Sequence, residues 1–425
     1  MSILSDVLST ILARTPGRAR AADDKRGMEE LTADLLSARG EISGMTTGAQ
    51  ILDRYGAMDD AGKLAFFDHL AGDLGVDPAS VRAALDAFEA EPGQKTYAAF
   101  LEAAEPARQE LARRLNRVPG ATSQLVAMRR DLLRLIPRSD PRARIDLDFQ
   151  HLFASWFNRG FLVLRPISWE TPARILEKII EYEAVHAIHS WEDLRRRVGP
   201  TDRRCFAFFH PSMPQEPLIF VEVALTKGIP GSVQKLLAED RDELQAEAAD
   251  TAVFYSISNC QAGLAGISFG NSLIKQVAAD LAAELPTLNT FVTLSPIPLL
   301  TRWMRENDID PQALDQAGLR VAAARYLLTA KRPDGFPYDP VARFHLGNGA
   351  LIHAVHAGAD LSEKGMAESA GAMVNYLYDR DRISHNHERF AGARDVVASD
   401  EVRALLKPRR RPLEQGERKD AKPAV

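Results

Sequence analysis

Residues 251–275, TAVFYSISNCQAGLAGISFGNSLIK, and residues 291–298, FVTLSPIP, decide how the rest of the chain is read. The first stretch opens with an aromatic and β-branched run, Val253 to Ile257. It passes through a loop carrying Gly263, Gly266 and Gly270, then takes up a helical apolar pattern from about Gly270 to Leu285. The second stretch ends another strand-type run at Ser295, because Pro296 and Pro298 have no N–H for a sheet ladder. Strand, loop, helix and strand make an α/β unit. Ser295 then sits at the carboxyl lip of a strand, where such folds collect ligands. The glycine loop lets a ligand approach the backbone and leads onto a helix N-terminus, whose free N–H groups suit a pyrophosphate. Its spacing is neither the dinucleotide fingerprint nor a P-loop. Glycines required only for close strand–helix packing would give the same pattern.

Upstream of this unit, Phe161–Leu164 reads as a short strand ended by Pro166. Residues 205–209 and 218–225 read as two adjacent strands joined by the Pro-rich turn 211-PSMPQEP-217. Helices are expected from Thr171-Pro172 through Ile180 and from Ser190 to Gly199. Residues 1–160 repeat helical spacing throughout. Asp77-Pro78 and Asp140-Pro141 are cap-and-start signals, and one helix is expected from Thr96 to Leu115. After Ile297 the pattern is helical through Trp303, Tyr326 and Leu328. A loop, 332-RPDGFPYDP-340, follows. His345 is expected in a polar loop from which another helix starts, carrying His353 and His356. A last cluster spans Gly371 to Phe390. The expected architecture is an all-helical packing or association domain over 1–159, an α/β domain with extra C-terminal helices over 160–407, and a disordered tail over 408–425.

The chain has 425 residues, 45% hydrophobic and 26% charged, with a formal net charge of −5. That is a globular composition with no basic field for nucleic acid. No apolar run reaches the ~18 residues of a membrane helix. The only cysteines are Cys205 and Cys260, without metal-type spacing, which fits a reducing cytoplasm better than a disulfide framework. Arg14, Arg18 and Arg20 could belong to a transit peptide, but Leu4, Val7, Leu8, Ile11 and Leu12 keep helical spacing, and a first helix is the reading taken. The final Ala-Val is not a peroxisomal address.

Four other groups could carry chemistry. His353 and His356, and His385 and His387, are close in sequence but lack the third and fourth ligands of a metal site. Cys260 borders the glycine loop with no adjacent base to activate it and is read as a small loop residue. The basic runs 195-RRR-197 and 408-PRRRP-412 are read as solvated surface. Arg203 or Arg204 could touch a phosphate.

The run from Thr251 to Leu299, together with 339-DPVARFHLGNGA-350 and 375-NYLY-378, resembles malonyl-CoA decarboxylases. The resemblance extends from about Phe157 to Leu406. The strand and glycine loop alone also resemble the acyl-CoA pyrophosphate loop of GNAT-type acyltransferases. The resemblance implies a GNAT-like, mixed-sheet catalytic domain that converts malonyl-CoA to acetyl-CoA and CO2 without metal or organic cofactor, working as a homodimer or homotetramer. It places the family's catalytic serine on Ser295, its proton-donating histidine on His345 and its third active-site residue on Tyr378. The coenzyme A cradle falls on Ala265, Gly266, Ile267, Ser268, Phe269, Gly270 and Asn271. Two rival readings stand beside it. A GNAT-type acyltransferase would need an acceptor amine. A non-catalytic CoA-binding scaffold would leave Ser295 and His345 apart.

Overall fold

The structure, a computed structural model, describes residues 24–37, 41–267 and 273–407. The readings of a first helix over Leu4–Leu12, of Ser268, Phe269, Gly270 and Asn271, and of a tail from 408 onward lie outside the described residues.

Among the described residues, helices occupy the chain from Met28 to Trp156, as the spacing predicts. Asp77 caps the helix Pro78–Ala90 by accepting the backbone N–H groups of Ala79 and Ser80. The helix expected from Thr96 to Leu115 is two helices, Gln94–Ala104 and Ala107–Leu115. Pro106 is the cause: a residue preceding proline is pushed out of the α region, and Glu105 adopts extended angles.

Eight strands follow: β1 Val163–Ile167, β2 Arg203–His210, β3 Met213–Thr226, β4 Thr251–Asn259, β5 Thr290–Thr293, β6 Ser295–Pro296, β7 Leu351–His356 and β8 Met373–Leu377. They form one mixed sheet in the order β1-β2-β3-β4-β5-β8-β6, with β7 also paired to β8. Three proline readings need correction. Pro166 does not end β1 but pairs with Phe206 inside it. The turn over 211–217 shrinks to Pro211-Ser212, and β3 runs through Pro214 and Pro217. Pro296 lies within β6. Proline's fixed φ suits extended chain and costs only the ladder donor, which an edge strand need not supply. β1 and β6 are the two ends of the sheet order.

The chain forms two compact units. One joins Met1–Glu222 to Ser256–Val277; the other joins Val223–Tyr255 to Ala278–Val425. In the first, Ile175 and Ile179 of the helix Ala173–Tyr182 and Leu194 of the helix Trp191–Val198 pack against Ala207, Phe209 and Phe220. Each fully buried side chain of this kind contributes about 1.5–3 kcal/mol. Beside that core lies a buried polar cluster. The Glu183 carboxylate accepts from Ser256 Oγ at 2.7 Å and from the backbone N–H of Val185 and His186. Arg197 was expected on the surface, but three residues after Leu194 it shares that residue's inward face. Its Nη1 donates to Glu222 Oε2 at 3.2 Å and to the His186 carbonyl at 2.8 Å.

The second unit holds the C-terminal half of the unit read from the sequence. β4 and β5 run parallel, with Thr251 opposite Thr290 and Phe254 opposite Thr293. β8 runs antiparallel to both pieces of the FVTLSPIP segment, placing Val292 opposite Leu377 and Ser295 opposite Val374. Val253, Tyr255, Val292, Leu294 and Met373 share its core. His345 is not in a loop. It lies in the helix Pro340–Gly347, whose cap, Asp339, accepts from Val341 and Ala342 N–H. His353 and His356 are on β7, not on a helix, and a register shift between Ile352 and Ala354 conceals the alternation.

Glu222 is fully buried and its acid is pushed from 4.5 up to about 8, by burial first and then by the charge of Glu183; Arg197 pulls the other way. The fold therefore retains a proton that the unfolded chain releases near 4.5. Stability from this group falls as pH rises through that window. Thermal melts across pH 5 to 8 are expected to show this decline, and Glu222→Gln to flatten it. An unchanged slope in the variant would assign the proton elsewhere.

Candidate active site

β5 and β6 present Thr293 and Ser295 on the same side of the chain, two residues apart. β8 carries Tyr376, and Tyr378 follows one residue past its end. Their mutual placement is set by backbone bonds: Tyr378 N–H donates to the Phe291 carbonyl at 2.8 Å, and Leu294 N–H donates to the Phe254 carbonyl at 3.0 Å. The helix Pro340–Gly347 brings in His345. Asp339 anchors the start of that helix and is itself held by the Tyr326 hydroxyl at 3.2 Å. Burial pushes the Asp339 acid up to about 6, against the helix-end N–H groups that favour its charge.

The residues taken from the sequence as catalytic converge. His345 Nε2 lies 3.2 Å from Ser295 Oγ, and His345 Nδ1 lies 2.8 Å from the Tyr378 hydroxyl. All three side chains are buried, at 5%, 3% and 2% exposure for Ser295, His345 and Tyr378. The imidazole is stacked on the Tyr376 ring at 4.5 Å between centroids. Burial drives its pKa from 6.5 down to about 3, so it is neutral at ordinary pH. Burial also raises the Tyr378 phenol. The arrangement is a neutral imidazole held between two hydroxyls in a dry setting, fit to pass a proton rather than to bear a charge.

Sequence reading missed the support of this line. Thr293 counted only as a β-branched strand former, yet its Oγ1 accepts from Ser295 Oγ at 2.8 Å and from Tyr376 N–H at 3.1 Å. Asn375 donates Nδ2 to the Thr293 carbonyl at 2.8 Å and meets His356 Nε2 through its Oδ1. The hint available was 375-NYLY-378, of which only the last tyrosine had been assigned a role.

The glycine loop lies in the first compact unit. Its glycines do different jobs. Gly263 is packed so closely on the helix Ala121–Leu135 that a side-chain methyl would collide with the Val126 carbonyl oxygen. Buried Arg129 on that helix donates Nη1 to the Gly263 carbonyl and Nε to Asp146, both at 2.7 Å. Packing is thus the reason for Gly263. Gly266 has φ +76° with open space around its α-carbon, a conformation that favours glycine. Ala265 is exposed and Ile267 half-buried. A cation not found by sequence, Lys275 in the first turn of the helix Leu273–Glu284, has its pKa lowered by partial burial and then by the neighbouring Arg159.

The alternatives fall away on geometry. Cys260 is buried and its thiol is raised by burial and by Glu183, so it is no activated nucleophile. Arg203 is buried against Asp202 at 3.4 Å. His356 is engaged by Asn375, and His387 Nδ1 by the Gly347 carbonyl at 2.7 Å. Among the described residues, Glu29, His69 and Asp73 bring three metal-type ligand atoms together. Both His69 nitrogens are already used, by Thr32 and by Asp73. No described helix is long and apolar enough to cross a membrane.

The chain matches the model of the malonyl-CoA decarboxylase C-terminal domain over residues 160–317 and 306–416, and that of the N-terminal domain over residues 74–157. It is 32% identical to the mitochondrial malonyl-CoA decarboxylase of Anser anser anser, over 79% of this chain and 78% of the relative. It is also 32% identical to that of Rattus norvegicus, over 84% and 85%. The crystal structure of malonyl-CoA decarboxylase from Rhodopseudomonas palustris superposes with a TM-score of 0.85 at 48% identity, covering 89% of this chain and 98% of that one. The enzyme from Agrobacterium vitis gives 0.84 at 48%, covering 90% and 100%.

Gly263→Ala is expected to lower the denaturation midpoint through overpacking by about 1–3 kcal/mol. Gly266→Ala, which meets nothing, is expected to cost about 1–2 kcal/mol of backbone strain alone. Equal, negligible losses in urea titrations would refute the close packing of Gly263.

Proposed function

The chain belongs to the malonyl-CoA decarboxylase family, a family of carboxy-lyases, and from that premise we propose how its residues divide the reaction. Malonyl-CoA carries a carboxylate β to a thioester carbonyl. When the bond to the carboxylate breaks, its electron pair moves onto that carbonyl and CO2 leaves. The product is a thioester enolate, so the substrate is its own electron sink and no organic cofactor or metal is invoked. Protonation of the α-carbon gives acetyl-CoA.

His345 delivers that proton. The observation that carries this reading is the hydrogen-bonded line Ser295–His345–Tyr378, three buried groups drawn from positions far apart in the sequence. A buried neutral imidazole cannot lose a proton cheaply by itself. As Nε2 gives its proton to carbon, Nδ1 takes the Tyr378 proton, and no imidazolate forms. The proton that Tyr378 gives up is restored from bulk solvent after the products leave, which balances the one proton the overall reaction consumes. When substrate binds, the Ser295 hydroxyl turns its one proton from Thr293 to the malonyl carboxylate while its oxygen still accepts from His345 Nε2, and this sets the breaking C–C bond perpendicular to the carbonyl plane, so that its electrons overlap the developing enolate. Positioning of this sort, with a general acid worth about 10²–10⁴-fold, accounts for the division of labour.

Coenzyme A is held at positions 265–271, of which Ala265, Gly266 and Ile267 are described. Gly266 supplies the backbone turn, and the helix that follows supplies N–H donors. Lys275 and Arg159 bring two cations together, a repulsion that a pyrophosphate or a 3′-phosphate would offset. The helical segment over 1–159 is read as the packing and association part of a homodimer or homotetramer.

Malonyl-CoA alone, without acceptor or added cofactor, is expected to yield acetyl-CoA and CO2; dependence on an amine acceptor would favour an acyltransferase. His345→Asn is expected to lower kcat by about 10²–10⁴-fold while KM stays within a few-fold. Near-normal turnover would remove His345 from the chemistry. Because His345 titrates near 3, the kcat profile of the native enzyme is expected to show no imidazole inflection between pH 6 and 7. Gly266→Val is expected to raise KM before it lowers kcat.

A further inference from the structure

We propose that Thr293 is the positioning residue that fixes which nitrogen of His345 carries the proton, an inference that rests on the role of His345 proposed above. A serine hydroxyl has one proton. At Ser295 that proton points to Thr293 Oγ1, 2.8 Å away. Ser295 Oγ is then only an acceptor toward His345 Nε2 at 3.2 Å, so Nε2 bears the hydrogen. The ring is neutral, so Nδ1 bears the lone pair and accepts from the Tyr378 hydroxyl at 2.8 Å. Every bond in the line runs one way: Tyr378 to His345, His345 to Ser295, Ser295 to Thr293. The proton needed at carbon is thereby stored on the nitrogen that faces Ser295.

Thr293 is held so that it can act as this terminus. Its side-chain oxygen also accepts Tyr376 N–H, which occupies a second lone pair and turns the oxygen toward an accepting role. Its carbonyl is gripped by Asn375 Nδ2. Asn375 in turn donates to the Pro230 carbonyl at 3.3 Å and is fixed in amide orientation by His356 at its Oδ1. Thr293 is fully buried, and so is Asn375. Tyr376 thus serves the line at both ends, with its ring against the imidazole and its N–H on Thr293. Valine in place of Thr293 keeps the shape but removes the acceptor. The Ser295 proton would then turn to Nε2, and the line would reverse, with His345 Nδ1–H donating to the Tyr378 oxygen.

The test uses full-length enzyme with ¹⁵N-labelled histidine, comparing native protein, Thr293→Val and Thr293→Ser. The native His345 is expected to show a protonated, pyrrole-type Nε2 and a pyridine-type Nδ1. Thr293→Val is expected to exchange these signatures or mix them. It is also expected to lower kcat by roughly 10- to 100-fold, the size of a lost proton-transfer contribution, with KM for malonyl-CoA little changed. Thr293→Ser, which keeps the hydroxyl, is expected to regain the native tautomer and most of the turnover. A native Nδ1–H tautomer overturns the proposal. So does a Thr293→Val enzyme that keeps the native signature and near-native kcat, or a Thr293→Ser enzyme as impaired as the valine variant. The tautomer is read without turnover, so it tests Thr293 even if His345→Asn remains active and the proton-donor role fails.

Discussion

The antiparallel pairing of β8 with the two-piece segment Thr290–Pro296 is the constraint on which the site depends. A strand's side chains alternate, so a one-residue slip would send Ser295 and Thr293 to the opposite face of their strand. The slip is opposed from several directions at once. Tyr378 N–H holds the Phe291 carbonyl, Asn375 holds the Thr293 carbonyl, and Tyr376 N–H holds the Thr293 side chain. Buried backbone and amide groups lose their bonds if the register shifts, and each unsatisfied group costs about 1–3 kcal/mol. The placement of Ser295 and Thr293 is therefore set by main-chain groups together with the Asn375 amide and the Thr293 hydroxyl.

Burial is the second element, and it acts through charge. The imidazole is neutral because burial strips its charged form of solvation, not because a neighbouring cation repels its proton. Neutrality makes tautomer choice the relevant variable, and tautomer choice is a matter of hydrogen-bond direction. The same logic runs elsewhere with the opposite sign. Glu222 and Glu183 share a dry region with one guanidinium, and burial keeps Glu222 protonated well above the usual carboxylate range.

Much of this was legible in the sequence. The strand–loop–helix–strand order followed from composition and proline positions, and Asp-Pro signals marked true starts at Pro78 and at Pro141, where a 3-10 turn leads into the helix Ile145–Trp156; the same signal at Asp339-Pro340 was passed over as loop. Proline misled where a strand lay at a sheet edge, because the lost N–H costs little there; Pro166 and Pro296 are the instances. β7 escaped notice because its alternation is broken at His353, and that led His353 and His356 to be read as helical neighbours. His345 looked like a loop residue because glycines and an asparagine follow it, yet these terminate its helix. Ser295, His345 and Tyr378 were singled out through resemblance. Thr293 and Asn375 were not, since a threonine in a β-branched run and an asparagine before a tyrosine carry no local mark of a buried hydrogen-bond role.

Gly263 bears on modularity. Its α-carbon lies against the Val126 carbonyl, and Arg129 of the same helix grips its own carbonyl. The helix Ala121–Leu135 is thus part of the loop's foundation, within one compact unit that joins Met1–Glu222 to Ser256–Val277. A change at Val126 or Arg129 therefore alters the seat of a loop more than a hundred residues away. A fragment cut at residue 160 would carry Gly263 without the surface that shapes it. The helix Ala121–Leu135 and the loop are one structural module, and moving the loop to another scaffold would require moving that helix with it.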